Sequence, residues 1–391
     1  MKPDGRIRVM EIMARMNVCG AATQVTGVCE RLNPEEFDHR LYTGHADGGE
    51  GDHLRLRGSA VQVHRVAGLG RSIRPLGDHR ALVGLARAMR EFRPHIIHTR
   101  SPKDGALARL AARLSGVSAA RIHAFHAPYP HGHLPWVKRR LPLRAERYAA
   151  SGADRLVTVG ATLRDELLRA GVGRPGQYVV IPPGVELGPM PDRREARRSL
   201  SLPGDAPVVA YVGRLSRAKR PDRFAEVARR VLDRVPGCRF LICGGGELRA
   251  EFERAIRPMW DSFRLLGWRR DVETVYAAAD VVLLTSDCES SPLALIEAGM
   301  AGVPVVSTAV GGVAEVVQDR RTGLLGGPDA AELAGHTVRL LTDPGLARRM
   351  GEAARQWTTR AFAVDRLVAD TEALYRSLSG AVRPRRGVGI R

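Results

Sequence analysis

No stretch of the 391 residues approaches the ~18 consecutive apolar residues that a membrane-spanning helix requires. The longest apolar runs, such as Val208–Val212 and Val281–Leu284, have the length of buried parallel strands. The opening Met-Lys-Pro-Asp-Gly-Arg leads straight into a strand-like run, Ile7–Met13. It shows neither an apolar core of signal-peptide length nor a small-residue cleavage site, so the expected location is the cytoplasm. Cysteine is sparse, scattered and odd in number: Cys19, Cys29, Cys238, Cys243 and Cys288. No pair has the spacing of a zinc clamp, and the pattern fits a reducing compartment. Aromatic residues make up only 5%, which argues against a base-stacking platform for single-stranded nucleic acid. Acidic residues are outnumbered, leaving a net charge of +19. Such an excess suits nucleic acid, lipid headgroups or phosphorylated substrates. Yet lysine occurs only at Lys2, Lys103, Lys138 and Lys219; the rest of the positive charge is arginine, as in a GC-rich coding sequence. The charge alone therefore identifies no nucleic-acid partner. A G-x-G-x-x-G fingerprint is missing too, which weakens a dinucleotide oxidoreductase reading.

What is present is an alternation of short apolar strands with helical patterns from end to end, the mark of parallel α/β structure. A chain of this length implies two domains or one large α/β unit. In the first half, strands are expected near Arg6–Ile12, His39–Tyr42, Val61–Val66, Ile96–His98, Ala120–Phe125, Arg155–Val159 and Val179–Ile181, with helices including Ala81–Phe92 and Asp104–Leu114. The run Ile181-Pro-Pro-Gly-Val-Glu-Leu-Gly-Pro-Met-Pro can continue neither a helix nor a central strand and marks a hinge. A short basic helix, Arg193–Leu200, follows it. A second series of strands then runs through Val208–Val212, Arg239–Cys243, Phe263–Leu266, Val281–Thr285 and Val305–Ser307. Helical spacing returns in Ala363–Leu378, before a basic, Gly/Pro-containing end.

Several loops carry residues suited to an anionic ligand. In Tyr211-Val-Gly-Arg-Leu-Ser-Arg-Ala-Lys-Arg-Pro, a strand ends at Gly213 and a helix opens near Pro221, leaving Arg214 and Lys219 between them. Ligands of open α/β sheets bind at the carboxyl ends of strands. There Arg214 offers a bidentate contact and Lys219 a point charge for a diphosphate. In Glu289-Ser-Ser-Pro-Leu-Ala-Leu-Ile-Glu297, Pro292 would open a helix whose N–H groups seat phosphate, with one carboxylate before it and one on its second turn. The first can reach sugar hydroxyls and the second a ribose diol. Gly311-Gly312, inside Ala309–Glu315, permits close backbone approach to a ligand. Each motif alone reads equally well as a solvated loop or turn. Asn17–Val25 after the first strand is a small-residue loop opening a helix. His123, His126, His131 and His133 lie close together, but without a neighbouring carboxylate or cysteine they suit substrate hydrogen bonding better than a metal. Leu134–Tyr148 mixes apolar and basic residues, a candidate for peripheral contact with an anionic membrane or a packed helix with an exposed basic face.

Taken in order, Gly213-Arg214-Leu215 with Lys219, Gly267-Trp-Arg-Arg-Asp-Val272, the Glu-x7-Glu pair, Val310-Gly-Gly-Val313 and Arg321-Thr-Gly-Leu-Leu325 resemble the family-four retaining glycosyltransferases over nearly the whole chain. The N-terminal stretches are similar to a subgroup of bacterial polysaccharide and glycoconjugate pathways. The resemblance implies an α/β chain of two Rossmann-like, doubly wound domains facing across a cleft, the B-type glycosyltransferase fold. Residues 1–182 would form the acceptor-side domain and 183–362 the donor-side domain. Residues 363–391 would supply a helix packing back on the first domain, then a basic tail.

By the same resemblance, Arg214 and Lys219 hold the donor diphosphate, Glu297 the ribose, and Glu289 faces the donor sugar. His126 contacts the sugar and Gly20 packs beside the diphosphate. Gly267, Trp268 and Arg269 form the base-binding edge, and Ser291 and Leu293 join the donor-binding set at the helix start. Glu289, His126, Arg214 and Lys219 form the implied catalytic set. The donor is a substrate, so no cofactor and no metal is implied. Lys103 would reach a phosphate or the acceptor. There are departures: Cys19 stands where a second glycine is usual, Ser290 follows Glu289 where the family has glycine, and Thr322 replaces a frequent asparagine. The implied reaction is retaining glycosyl transfer from a nucleotide diphosphate, a UDP-sugar ahead of GDP-mannose, to a glycan, lipid-linked or small-molecule acceptor at the inner face of the cell membrane. The alternatives are a sugar-nucleotide epimerase on the same fold and a non-catalytic partner subunit.

Overall fold

The computed structural model describes residues 5–17, 20–45, 53–54, 59, 61–70, 72–126 and 136–379. His131, His133 and Cys19 lie outside the described residues. The chain divides into two compact units, one running to Gly184 and resuming at Val364, the other Val185–Ala363. The first crossing falls within the proline- and glycine-rich run after Ile181. Pro182, Pro183, Gly184 and Gly188 remove hydrogen-bond donors and helical options there.

The first unit is built on a parallel sheet of seven strands: β1 (Ile7–Met13), β2 (Phe37–Thr43), β3 (Val63–Arg65), β4 (Ile96–Thr99), β5 (Ala120–Phe125), β6 (Arg155–Thr158) and β7 (Tyr178–Val180). Their order is β3-β2-β1-β4-β5-β6-β7, so the chain steps outward from β1 and then returns across it to β4. Strand alternation splits the core in two. Val9, Ile96, Ile122 and Ala124 face helices Gly20–Arg31 and Val364–Ser379, against which Val28, Leu374 and Tyr375 pack. Met10, Ile12 and Ile97 face helices Pro75–Phe92 and Pro102–Ser115. These two helices start earlier than apolar periodicity suggests. Each opens on a proline, whose fixed φ suits the first helical turn, and the Ser101 hydroxyl caps the second by accepting from the Asp104 N–H at 3.4 Å.

The second unit has a six-stranded parallel sheet: β8 (Val208–Val212), β9 (Arg239–Cys243), β10 (Phe263–Gly267), β11 (Val281–Leu284), β12 (Val305–Thr308) and β13 (Gly323–Gly326). The order β10-β9-β8-β11-β12-β13 repeats the same return across the first strand. Val208 and Ala210 face one helical layer, with Tyr276, Leu295 and Ile296. Val209 and Tyr211 face the other, with Phe224, Phe252 and Leu333. Both faces of each sheet are covered, as in a doubly wound fold. In such folds the carboxyl ends of the strands flanking the return, β1/β4 and β8/β11, are the preferred ligand sites.

Candidate active site

The loops leaving β8 and β11 are stitched together. The Asp287 N–H donates to the Ala218 carbonyl at 2.8 Å, and the Thr285 hydroxyl bonds the carbonyls of Lys219 and Arg220 at 3.2 and 3.0 Å. Asp287 accepts from Arg223 at 2.7 Å and from Arg220 at 3.1 Å. Burial acts to raise the Asp287 pKa, but the two guanidinium groups outweigh it and lower the pKa below the usual carboxylate value. Arg220 holds a left-handed backbone, φ 50°, at the entry to helix Pro221–Leu232. That conformation is costly for a non-glycine residue and is held here by the side-chain clamp.

This frame brings Lys219 onto Glu289. The Lys219 ammonium donates to Glu289 Oε1, which also accepts from the Ser286 hydroxyl at 2.6 Å. Glu289 is buried, whereas about a quarter of the Lys219 side chain remains open, 24%. Arg214 contrasts with its neighbours. Its carbonyl accepts from the buried Tyr211 hydroxyl at 2.7 Å, yet its partly buried guanidinium has no side-chain partner among the described residues.

Two glycine runs let backbone pass where side chains could not. A Cβ on Gly312 would lie 1.8 Å from the Ser290 carbonyl oxygen, and one on Gly311 would lie 2.1 Å from that of Glu289. Gly311 also has φ +52°. The Gly312 N–H donates to the Glu289 carbonyl at 2.9 Å, so this turn clamps the Glu289 loop from above β12. The second run, Gly244–Gly246 after β9, lies against the Arg214 loop. A Cβ on Gly244 would fall 1.9 Å from the Gly213 carbonyl oxygen. Gly245 accepts from the Leu215 N–H at 2.9 Å, and Gly244 donates to Gly267 at 2.8 Å. The Trp268 indole abuts Gly245, with Nε1 3.1 Å from a Cβ built there. Arg214 and the Gly267–Trp268 edge thus belong to one backbone-linked assembly. Arg269 is held by Asp271, at 3.0 and 2.6 Å.

Helix Leu293–Met300 follows Glu289, with Pro292 as its N-cap rather than its first residue. Ser291 and Leu293 flank this start and are partly buried. Glu297, on the second turn, is buried and accepts from the Tyr276 hydroxyl at 2.7 Å. Burial, then the Glu297 carboxylate, hold the Tyr276 phenol well above its ordinary pKa, so it stays a donor. Ser290 is 6% exposed, and its hydroxyl has no partner among the described residues. Thr322 bonds within its own turn to Gln318, at 2.9 Å.

In the first unit, Gly20 is the first residue of helix Gly20–Arg31, at the exit of β1. His126 follows β5, and its Nε2 lies 2.8 Å from Arg100 Nη1. Burial, then the Arg100 cation, push the His126 pKa well below that of free imidazole. Arg100 in turn donates to Glu11, in the middle of β1. Lys103 is otherwise engaged than expected. Its ammonium is bound by Asp78 and the Ser72 carbonyl, each at 2.5 Å, so it is not free for a phosphate or an acceptor in this structure. His123 is buried and bonds the Thr99 hydroxyl at 2.8 Å, a core role.

Sequence reasoning missed Tyr276, Ser286, Glu11, Arg100 and the Gly244–Gly246 run. Two of these had visible signals: three consecutive glycines after a strand, and a glutamate amid the apolar residues of β1. Tyr276, the partner of Glu297, had none, since it arrives from another helix.

Residues 19–184 match the glycosyl transferase 4-like domain, and residues 192–357 match the glycosyl transferases group 1. The chain is 27% identical over 355 residues to the UDP-Gal:alpha-D-GlcNAc-diphosphoundecaprenol alpha-1,3-galactosyltransferase of Escherichia coli, covering 88% of this chain and 90% of that protein. It is 31% identical over 323 residues to the D-inositol 3-phosphate glycosyltransferase of Salinispora arenicola, covering 74% and 70%. Sucrose-phosphate synthase of Thermosynechococcus elongatus shares the fold with a TM-score of 0.81 at 22% identity, over 96% of this chain and 100% of that one. HepE of Anabaena, solved with UDP-glucose, gives 0.79 at 20% identity, over 95% and 100%. The doubly wound units and these matches agree: the chain belongs to the family-four glycosyltransferases of the B type, enzymes that transfer sugars.

Proposed function

We propose that this glycosyltransferase moves a sugar from a UDP-sugar to an acceptor hydroxyl with retention of anomeric configuration and without a metal ion; GDP-mannose is the second donor choice. The observation that carries the reading is the cation pair at the β8/β11 return. Arg214 has no side-chain partner among the described residues, and Lys219 is paired with the buried Glu289. As the bond from the anomeric carbon to the diphosphate breaks, negative charge grows on the leaving oxygens. Arg214, Lys219 and the N–H groups opening helix Leu293–Met300 would receive it, doing the work a divalent ion does elsewhere. Removing one such preorganised donor costs on the order of 3 kcal/mol in the transition state. The acceptor oxygen bonds the anomeric carbon on the face the diphosphate leaves, and its proton passes to the departing phosphate oxygen. Glu289, hydrogen-bonded by Lys219 and Ser286, serves the donor sugar's hydroxyls and is not assigned as a covalent nucleophile. Glu297 with Tyr276 would hold the ribose, and Gly267–Arg269 the base edge. In the first unit, Gly20 and His126 are the proposed ligand contacts.

The E. coli relative acts on a diphosphoundecaprenol-linked sugar. A lipid-linked acceptor at the inner face of the cell membrane is therefore the acceptor reading favoured here, over a free glycan or small molecule. Among the described residues no helix is long and apolar enough to cross a membrane, so contact would be peripheral. Besides helix Trp136–Ser151, two aliphatic side chains support this: Ile73 and Leu76, each 80% exposed, beside the exposed Arg74 and Arg80. An apolar ridge flanked by arginine suits an anionic bilayer surface. Cosedimentation with anionic liposomes at low salt tests this, and no binding would count against it.

The decisive test of the donor reading is thermal shift of wild type and of Arg214→Ala/Lys219→Ala against UDP, GDP, ADP and dTDP. A ligand at a hundredfold its dissociation constant stabilises by ~2.7 kcal/mol. Stabilisation of the wild type alone by UDP is expected. Equal stabilisation of both proteins would remove the cation pair from the donor site. Product analysis with an acceptor separates transfer from epimerisation, and a fold-intact Glu297→Ala that loses transfer argues against a non-catalytic subunit.

A further inference from the structure

A chain of buried polar groups crosses the first unit beneath helices Gly20–Arg31 and Val364–Ser379. At its centre is Glu11, 0% exposed in the middle of β1. A lone carboxylate there would be strongly destabilising, so its partners define its role. One oxygen accepts from Arg100 Nε; the other lies 2.8 Å from His39 Nε2 on β2. Burial opposes the Glu11 charge, but Arg100, then His39, more than offset it and hold the carboxyl far below its ordinary pKa. Arg100 is itself buried, 6% exposed at the side chain, and its Nη1 reaches His126 Nε2 at 2.8 Å.

The direction of this last bond is fixed by chemistry. A guanidinium only donates, so His126 Nε2 must accept and the imidazole must be neutral, with its proton on Nδ1. Nδ1 is shielded from solvent and has no partner among the described residues. The groups facing His126 are Arg100, His98 from β4, Glu11 from β1 and His123 from β5. His98 is itself held neutral, at a pKa of about 3, by burial and by Arg100, and bonds Tyr375 at 2.9 Å.

We propose that Glu11, acting through Arg100, is a positioning residue that presents His126 as a neutral Nδ1–H donor to a sugar oxygen. This rests on the reading of His126 as a sugar contact. Glu11 touches neither the reacting atoms nor the substrate. It neutralises and orients the one cation that sets the His126 tautomer. A resident metal fits the same residues less well. Glu11, Cys29 and His39 are close enough to bind one, but Glu11 addresses Nε2 of His39 while Cys29 Sγ lies 3.6 Å from Nδ1, on the opposite side of the ring. Arg100 also occupies the second Glu11 oxygen.

The test uses the full chain with selectively 15N-labelled histidine, with the His126 signals identified by their absence in His126→Asn. In wild type the ring should show the neutral Nδ1–H tautomer at the pH where free imidazole titrates. In Glu11→Gln the Arg100 anchor is lost. His126 should stay neutral, because burial and the uncompensated Arg100 both oppose its protonation, but its ring should show a mixture of Nδ1–H and Nε2–H tautomers. Turnover should fall on the order of a hundredfold, as for a misplaced contact, with KM for the donor little changed. Arg100→Lys, which keeps the charge but loses the fork, should have the same spectral effect and serves if Glu11→Gln does not fold. A folded Glu11→Gln or Arg100→Lys with an unchanged His126 tautomer would overturn the proposal, leaving a merely structural ion pair. Normal UDP release by His126→Asn would instead remove His126 from the sugar site, while the histidine spectra would still report on the Glu11–Arg100 coupling.

Discussion

Replacing Glu289 with glutamine should tighten binding of free UDP while impairing transfer. In the unliganded protein the Lys219 ammonium is held by the Glu289 carboxylate, and an incoming diphosphate must compete with it. The pair is intermediate in burial, with side chains 24% and 9% exposed. Fully exposed pairs contribute ~0.2–1 kcal/mol, and breaking a fully buried pair costs ~3–5 kcal/mol. A value of about 1–2 kcal/mol between those bounds is appropriate here. Because 1.4 kcal/mol is tenfold, Glu289→Gln should bind UDP roughly five- to thirtyfold more tightly. Glutamine keeps an oxygen for the Ser286 hydroxyl, now 2.6 Å from Glu289, so the loop should retain its shape. Calorimetric titration with UDP reads the affinity, and UDP release from UDP-galactose reads turnover. Lys219→Ala is the control and should weaken UDP binding. Equal or weaker UDP binding by Glu289→Gln would refute the reasoning: the carboxylate would then hold Lys219 in place for the phosphate rather than compete with it.

Tyr276→Phe removes a buried 2.7 Å hydrogen bond to the Glu297 carboxylate. It should cost about 1.5–3 kcal/mol in urea unfolding and weaken uridine nucleotides more than pyrophosphate. Gly312→Ala places a Cβ against the Ser290 carbonyl at 1.8 Å and should displace the Glu289 loop. The expected result is loss of UDP-dependent thermal stabilisation, whereas Gly335→Ala, at a position with open space, should have no effect on it. Asp104 is fully buried, and burial raises its pKa from 3.8 to about 6. The folded state therefore favours the protonated acid: that contribution is complete below about pH 4 and is lost as pH rises through about 6. Asp104→Asn should gain stability on wild type as pH climbs from 4 to 8, by up to about 3 kcal/mol in denaturant titrations. A gain independent of pH would show that Asp104 does not titrate in this range.

The two sheets were legible because each central strand is a short apolar run bounded by polar helices, a pattern that parallel burial on both faces imposes. β13 escaped notice because it reads Gly-Leu-Leu-Gly; its pairing with β12, not its own propensity, makes it a strand. The donor-side loops were legible because a strand end, a Pro-opened helix and charged residues occur within about ten positions of one another. What was not legible depends on distance along the chain. Lys103 reads as a free cation until Asp78, on the preceding helix, is seen to bind it. Arg214 and Arg220 look alike in sequence, and only the structure shows that Asp287 engages Arg220 and not Arg214. Glu11 was visible as a charge in an apolar strand, but its meaning needed Arg100 and His39 from two other strands.

The two units use one strand topology for opposite electrostatic ends. Each sheet returns across its first strand, and each places charged side chains near that return. In the first unit the charges satisfy one another. Glu11 takes both Arg100 and His39, and at the end of that network lies a neutral imidazole. In the second unit Asp287 takes Arg220 and Arg223, Glu289 takes Lys219, and Arg214 is left over. A diphosphate with two or more negative charges therefore has reason to settle on the second unit, where one cation is unengaged and another is held by a replaceable carboxylate. A sugar hydroxyl, which gains little from net charge, is suited to the first unit's neutral donor. The proposed assignment of donor phosphates to the C-terminal half rests on which buried charges are already neutralised, since both halves share the same return in strand order.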